Sequence, residues 1–405
     1  MILKLGNHYV SDFIETNVNY ETRKKYSLDL ILDNEIGAAK LTEMAPSETM
    51  WGKYWYRSGI NSTMTKELGN VVSEITSRIK FKSNDIWLDI ACNDGTLLSQ
   101  VPAEFIKLGI DPADNTFVEE ASKFGTIVQD YFSYDAYQKT GHGNKQAKVI
   151  TTIAMFYDLI DPNPFISDVC KILDNDGIWV LQLSYTPLMI KQLAFDNICH
   201  EHAYYYSLQS FTKLFKKHGL KIVDCSLNDV NGGSFRVYVQ KETADVTSFG
   251  TSPLRDVCNF RVESLLEYES KHYDLSDLDL WNEFQTNIEN LRTQTVDFIK
   301  QEKAKGKTIC GYGASTKGNT LLQWFGLDHT MIDAIAERSH YKFGLKTIGT
   351  NIPILSEEEV RAMKPDYMLV LPWHFISEFV QRENEYLTNG GKFIVPCPKF
   401  EIISK

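Results

Sequence analysis

The chain has 405 residues, 43% of them hydrophobic and 23% charged, the composition of a globular protein with room for two or three domains. Its formal net charge of -11 excludes a general affinity for nucleic acid or acidic membranes, so an anionic ligand would need a local pocket of donors. Seven scattered cysteines without a C-x-x-C pair exclude a zinc ribbon and a disulfide framework and fit a reducing compartment.

No stretch reaches the ~18–20 apolar residues of a membrane span, and the first residues carry no signal-peptide pattern. A cytoplasmic enzyme without a membrane partner is therefore expected. Residues 1–75 read as a small entry module, with a strand over 28–32 and a turn over 33–37. The aromatic segment around Trp51, Tyr54, Trp55 and Tyr56 is too polar for plain core. It is either an interdomain packing surface or a substrate-facing loop in which Tyr54 or Tyr56 offers a hydroxyl. Leu68, Val71, Val72, Ile75 and Ile79 then recur at helical spacing.

Residues 86–98 give an apolar strand, a small-residue turn holding Asp89, Cys92, Asn93, Asp94 and Gly95, and a helix start; a second strand ends on Asp111. A glycine-lined loop admits close backbone approach, and two carboxylate oxygens match a vicinal diol. The dinucleotide fingerprint G-x-G-x-x-G is missing, and the acids here would repel a pyrophosphate. They suit a sulfonium cation better. Strands over 126–132, 147–153 and 178–184, with a helix over 161–173 between the last two, predict a doubly wound parallel α/β sheet whose ligands gather at the carboxyl ends of its strands. Those ends hold Asp94, Asp111, Gln129 or Asp130, and Ala154. The pattern resembles the class I S-adenosylmethionine-dependent methyltransferases. That resemblance implies S-adenosylmethionine as cofactor, held by Asp89, Cys92, Asn93, Asp94, Gly95, Asp111, Gln129, Asp130 and Ala154.

After the fifth strand, residues 197–207 pack His200, Glu201, His202, Cys199 and Tyr204, Tyr205 and Tyr206 into eleven positions. No period of 3.6 or 2 explains that choice, whereas acid–base chemistry does, because histidine titrates near neutrality. A helix over 208–218, a strand over 220–224 and an Asn231-Gly232-Gly233 reversal follow, with Arg236 placed to reach a substrate anion. Together, the His-Glu-His stretch and the Asn-Gly-Gly-Ser-Phe-Arg run resemble the sugar C-methyltransferase family, over residues 2–399. The resemblance implies a nucleotide-linked 4-keto-deoxysugar as substrate and His202 as the base that forms an enolate. Glu201 and a tyrosine would position it or stabilise the enolate oxygen, with Tyr205 on the sugar, Tyr56 or Tyr54 facing the site, and His200 in second rank. Two departures stand out. The family's four zinc-binding cysteines are missing, so no metal is expected, and Cys199 stands where a tyrosine commonly precedes His-Glu-His.

Residues 251–305 read as a helical linker, with Phe284, Ile288, Leu291 and Val296 along one face. Residues 306–405 read as a second, Rossmann-like α/β domain. Its turn Gly311-Tyr312-Gly313-Ala314-Ser315-Thr316-Lys317-Gly318 suits phosphates through backbone N–H groups and an ammonium. By resemblance it holds the substrate's nucleotide through Gly313, Ser315, Lys317, Lys342 and His374, with residues 76–250 as the cofactor-binding domain. The alternatives are O- or N-methylation of another activated sugar or glycan precursor, a non-catalytic sugar-nucleotide-binding protein, and an NAD-dependent oxidoreductase. The chain is expected as a monomer or homodimer.

Overall fold

In a computed structural model, the structure describes residues 1–46, 49–50 and 56–405. Tyr54 lies outside the described residues. A seven-stranded sheet forms the centre, from Ile86–Ile90, Ile106–Ile110, Thr126–Val128, Ala147–Ile153, Leu173–Ser184, Leu220–Asn228 and Ser234–Lys241. Counted in chain order, these strands lie side by side as 3-2-1-4-5-7-6, and only the seventh runs against the rest. This is the doubly wound order of the class I methyltransferases. The first strand is apolar and buried along its whole length, as a strand covered on both faces must be. The helix Ser62–Arg78 buries Leu68, Val71, Val72 and Ile75 against one face. Asn61 starts it by accepting from the N–H groups of Thr63 and Met64.

Arg236 is committed to this packing rather than to a ligand. It is 3% exposed, its Nε donates to Gln182 Oε1 at 2.8 Å, and its guanidinium meets Glu67 at 2.7 Å and Glu74 at 2.8 Å. The expected reach to a substrate anion is therefore corrected: the helix Ser62–Arg78 takes up the charge.

A second sheet of six strands contains Ile309–Tyr312, Ile335–Glu337, Ile354–Ser356, Tyr367–Val370, Lys392–Val395 and Glu401–Ile403 in the order 3-2-1-4-5-6. Its last strand alone is antiparallel. The segment before it forms two helices, Ser252–His272 and Leu278–Ala304. Trp281, Phe284, Ile288, Leu291 and Ile299 sink into the core that includes the second sheet, so the second helix is part of that core.

The N-terminal residues fasten the two sheets together. Phe13–Glu15 pairs with Leu345–Thr347 of the C-terminal part. Ala38–Leu41 pairs with Leu30–Asp33 on one side and with Tyr204–Tyr205, just past the His-Glu-His stretch, on the other. A loop bearing chemistry is thus held by backbone ladders. Among the described residues no helix is long and apolar enough to cross a membrane.

Candidate active site

The carboxyl ends of the central strands, the N-terminal residues and the C-terminal domain close around one cavity of about 620 Å³. Its first wall is the loop after the first strand. Ala91, Asn93 and Gly95 take left-handed backbone at φ 59°, 52° and 77°, a conformation asparagine tolerates and glycine adopts freely. A Cβ at Gly95 would stand 2.7 Å from Ala121 Cα, so glycine is required there. Asp111 shapes the loop: Oδ2 accepts from Asn93 N at 2.7 Å and Oδ1 from Ala113 N at 2.8 Å. Asp89, 3% exposed, accepts from Thr151 Oγ1 at 2.7 Å, and burial pushes its carboxyl up to about 7.

Asp89, Cys92, Asn93, Asp111 and Ala154 line the cavity with Ile90, Leu97, Ile110 and Phe132. This donor set fits S-adenosylmethionine. Each Asp111 oxygen keeps a lone pair for a ribose hydroxyl, apolar side chains offer a surface to the base, and no lysine or arginine on this loop repels a sulfonium.

Other residues expected on the cofactor turn elsewhere. Asp94 accepts from Gly59 N at 2.8 Å and from Thr96 Oγ1 at 2.6 Å, so its carboxylate ties the chain after Tyr56 to this loop. Gln129 donates to Ala113 O at 2.8 Å, and Asp130 pairs with Lys139 at 2.6 Å. Neither lines the cavity; Tyr131 and Phe132 do.

The second wall is the His-Glu-His loop, which leaves a 3-10 turn at Phe195–Asn197. His202 Nδ1 lies 2.8 Å from Asn197 O. A carbonyl only accepts, so Nδ1 carries the hydrogen and Nε2 keeps the lone pair. The ring packs on Tyr157, centroids 3.9 Å apart. Burial, then the charge of Lys317, pushes the imidazole down to about 3, so it is neutral across the working pH range. Beside it the Cys199 thiol donates to Glu201, whose carboxyl is pushed up by burial and whose Oε2 has no hydrogen-bond partner among the described residues. Asp158 Oδ1 is likewise unpartnered, and its carboxyl is pushed well up by burial and then by Glu201. Two carboxyls in one dry site hold protons between them rather than two charges.

The third wall comes from the C-terminal domain. Ser315 caps the helix Thr316–Phe325, and Lys317 Nζ from its first turn donates to Asn197 Oδ1. His374 also faces the cavity, pushed down to about 3 by burial and then by Lys317. Tyr56, 43% exposed, lines the opposite side with Ser58.

Several expected contacts lie off the cavity. His200 donates from Nε2 to Tyr26 O at 3.0 Å and packs edge-on against the Tyr26 ring; it fixes the loop to the N-terminal residues. Tyr205 is drawn into the ladder with Ala39. Lys342 Nζ donates to Ala314 O at 2.7 Å and sits over the Phe13 ring, which leaves it shaping the glycine turn. Gly313, at φ 84°, faces Pro372, whose Cγ would stand 2.6 Å from a Cβ there. Lining residues that sequence reasoning missed include Tyr157 and Asp158, four and five positions past the end of the fourth strand, and Ser11 and Phe13. Asn197 was inside the quoted motif, but nothing in a sequence marks a residue that acts through both its backbone and its side-chain carbonyl.

Comparison with known proteins gives two family models, a methyltransferase domain over residues 61–224 and a C-methyltransferase C-terminal domain over residues 229–398. The chain is 28% identical to C-methyltransferase NovU of Streptomyces niveus over 382 residues, which are 94% of this chain and 88% of that protein. Among solved structures, the magnesium protoporphyrin IX methyltransferase ChlM from Synechocystis PCC 6803 with bound SAM matches 47% of this chain and 87% of its own, at 11% identity and a TM-score of 0.34. The plantazolicin methyltransferase BpumL in complex with SAH matches 43% and 82%, at 12% identity and a TM-score of 0.34.

Proposed function

We propose that this chain, an S-adenosylmethionine-dependent methyltransferase that belongs to the C-methyltransferase family, methylates a carbon next to the keto group of a nucleotide-linked 4-keto-deoxysugar, with His202 as base. The observation that carries the reading is the tautomer of His202. Its Nδ1–H is spent on Asn197 O, and the remaining basic nitrogen belongs to a ring in the wall of the cavity that the cofactor loop also lines.

A ketone acidifies its neighbouring C–H, so a positioned neutral imidazole can take that proton. S-adenosylmethionine supplies an electrophilic methyl group on a sulfonium, held by Asp111, Asn93, Cys92 and Ala154. Burial pushes the Glu201 and Asp158 carboxyls up, and Glu201 pushes Asp158 up further, which favours O–H donors toward the sugar over negative charge that would oppose enolate formation. Tyr56 and Ser58 close the outer side, and Ser315, Thr316 and His374 hold the nucleotide side of the substrate. Seven free thiols support a cytoplasmic setting.

Incubation with methyl-labelled S-adenosylmethionine and a set of nucleotide 4-keto-deoxysugars, followed by NMR, tests the proposal. A new C–CH3 signal on the carbon alpha to the ketone is expected; a label found only on oxygen or nitrogen would contradict it.

A further inference from the structure

We infer that Lys317 is a catalytic residue: its ammonium binds the substrate's ketone oxygen and stabilises that oxygen as it becomes an enolate. The inference rests on the enolate reading above and assigns the electrophilic partner that reading requires.

Three observations place Lys317 at the reacting end of the substrate rather than at a phosphate. First, it is the only lysine or arginine among the described residues that line the cavity. Among the described residues, negative charge developing there has no other lysine or arginine in the cavity wall to meet. Second, one residue positions both halves of the chemistry. Asn197 holds the His202 ring through its backbone oxygen and the Lys317 ammonium through its side-chain oxygen, so base and cation keep a fixed separation. Third, Lys317 has an acid opposite it. Burial is the larger influence and pulls its ammonium down from the usual lysine range, and Asp196 is the first charge to work the other way; Asp196 is itself fixed by the Trp373 indole N–H at 3.1 Å. A phosphate bound to this lysine would meet the Asp196 carboxyl as well, whereas a ketone oxygen is a neutral acceptor that gains charge only during reaction.

The step balances without a further reagent. The C–H bond alpha to the ketone breaks and its proton moves to His202 Nε2. The electron pair forms the C=C bond, and the carbonyl π pair moves onto oxygen, where the Lys317 N–H donates. So weak a base as His202 needs that assistance, because the stabilisation appears only as the charge develops.

Deuterium uptake alpha to the ketone of a thymidine-diphosphate-linked 4-keto-6-deoxyhexose in D2O, with no methyl donor present, tests the assignment on the full-length chain. For Lys317→Met the exchange rate at saturating sugar should fall by about 10²–10³-fold, the usual cost of one oxyanion donor, with KM changed by less than about threefold. S-adenosylhomocysteine affinity by calorimetry should be unchanged. The double variant Asp196→Asn/Lys317→Met, which leaves no unmatched buried carboxylate, should show the same loss. A rise in KM with the saturated rate preserved would make Lys317 an anion-binding residue and overturn the inference. A parent enzyme that methylates the sugar yet exchanges no deuterium would instead overturn the enolate reading, and Lys317's role with it.

Discussion

His200 lends itself to a quantitative test, because the structure moves it from the catalytic group to the framework. Its ring is 2% exposed, with Nε2–H donated to Tyr26 O, and burial pushes it down to about 4 from 6.5. The unfolded chain binds a proton at this residue near pH 6.5 and the folded chain only near pH 4, so between those values unfolding takes up a proton and stability rises with pH. The contribution is neutral above pH 7 and costs about 2 kcal/mol at pH 5, approaching roughly 3 kcal/mol below pH 4. His200→Gln keeps an N–H for Tyr26 O but does not titrate. Urea unfolding followed by tryptophan fluorescence at pH 7.5 and pH 5 gives the comparison, since every other titrating group is common to both proteins. The stability lost between the two pH values should be smaller in the variant by about 2 kcal/mol, and methylation at pH 7.5 should stay within about twofold of the parent. Parallel losses in the two proteins would refute the buried, neutral state of His200, and a collapse of activity at pH 7.5 would return it to the catalytic group.

Arg236→Met removes the centre of a buried ion-pair network and leaves Glu67 without its cation, while Glu74 keeps Arg78 at 3.3 Å; about 3 kcal/mol of stability should be lost by urea unfolding, with KM for the sugar unchanged. Glu67→Gln added to it should recover part of that loss, and a raised KM without destabilisation would restore the substrate-anion role. Asp111→Asn sets an NH2 group against the N–H of Asn93 or Ala113 and removes an acceptor for the ribose. Calorimetry should show S-adenosylhomocysteine binding about 10- to 100-fold weaker, while affinity within about twofold of the parent would remove Asp111 from the cofactor site.

The parts of the fold that repeat with a period were legible. The small-residue loop, the acid after the second strand and the alternation of strands with helices led to the doubly wound sheet, and the glycine turn near Gly311 to the second one. The His-Glu-His stretch was legible as chemistry because no packing period asks for two imidazoles and a carboxylate together. Direction was not legible. His200 and His202 are two residues apart on one loop, yet one ring goes to Tyr26 and the other into the cavity, because Tyr204–Tyr205 is drawn into a ladder with residues 39–40. Arg236 and Lys317 were both read as anion ligands, the first beside a hairpin reversal and the second in a glycine-rich turn. What separates them is the opposite wall: Glu67 and Glu74 on a packed helix for one, Asn197 and the open cavity for the other. Asp158 was invisible because its partner Glu201 is 43 residues away in sequence and the pair exists only in the folded chain.

The central claim is that the neutral Nε2 of His202 removes the proton alpha to a ketone. Deuterium exchange at that carbon, followed by NMR with no methyl donor present, tests it directly in the parent and in His202→Gln. The parent should exchange at a rate that stays level between pH 5 and 8, since the ring is already neutral with its titration pushed down to about 3. His202→Gln should exchange about 10²–10⁴-fold more slowly and still bind S-adenosylhomocysteine. Exchange in His202→Gln at the parent rate would contradict the account.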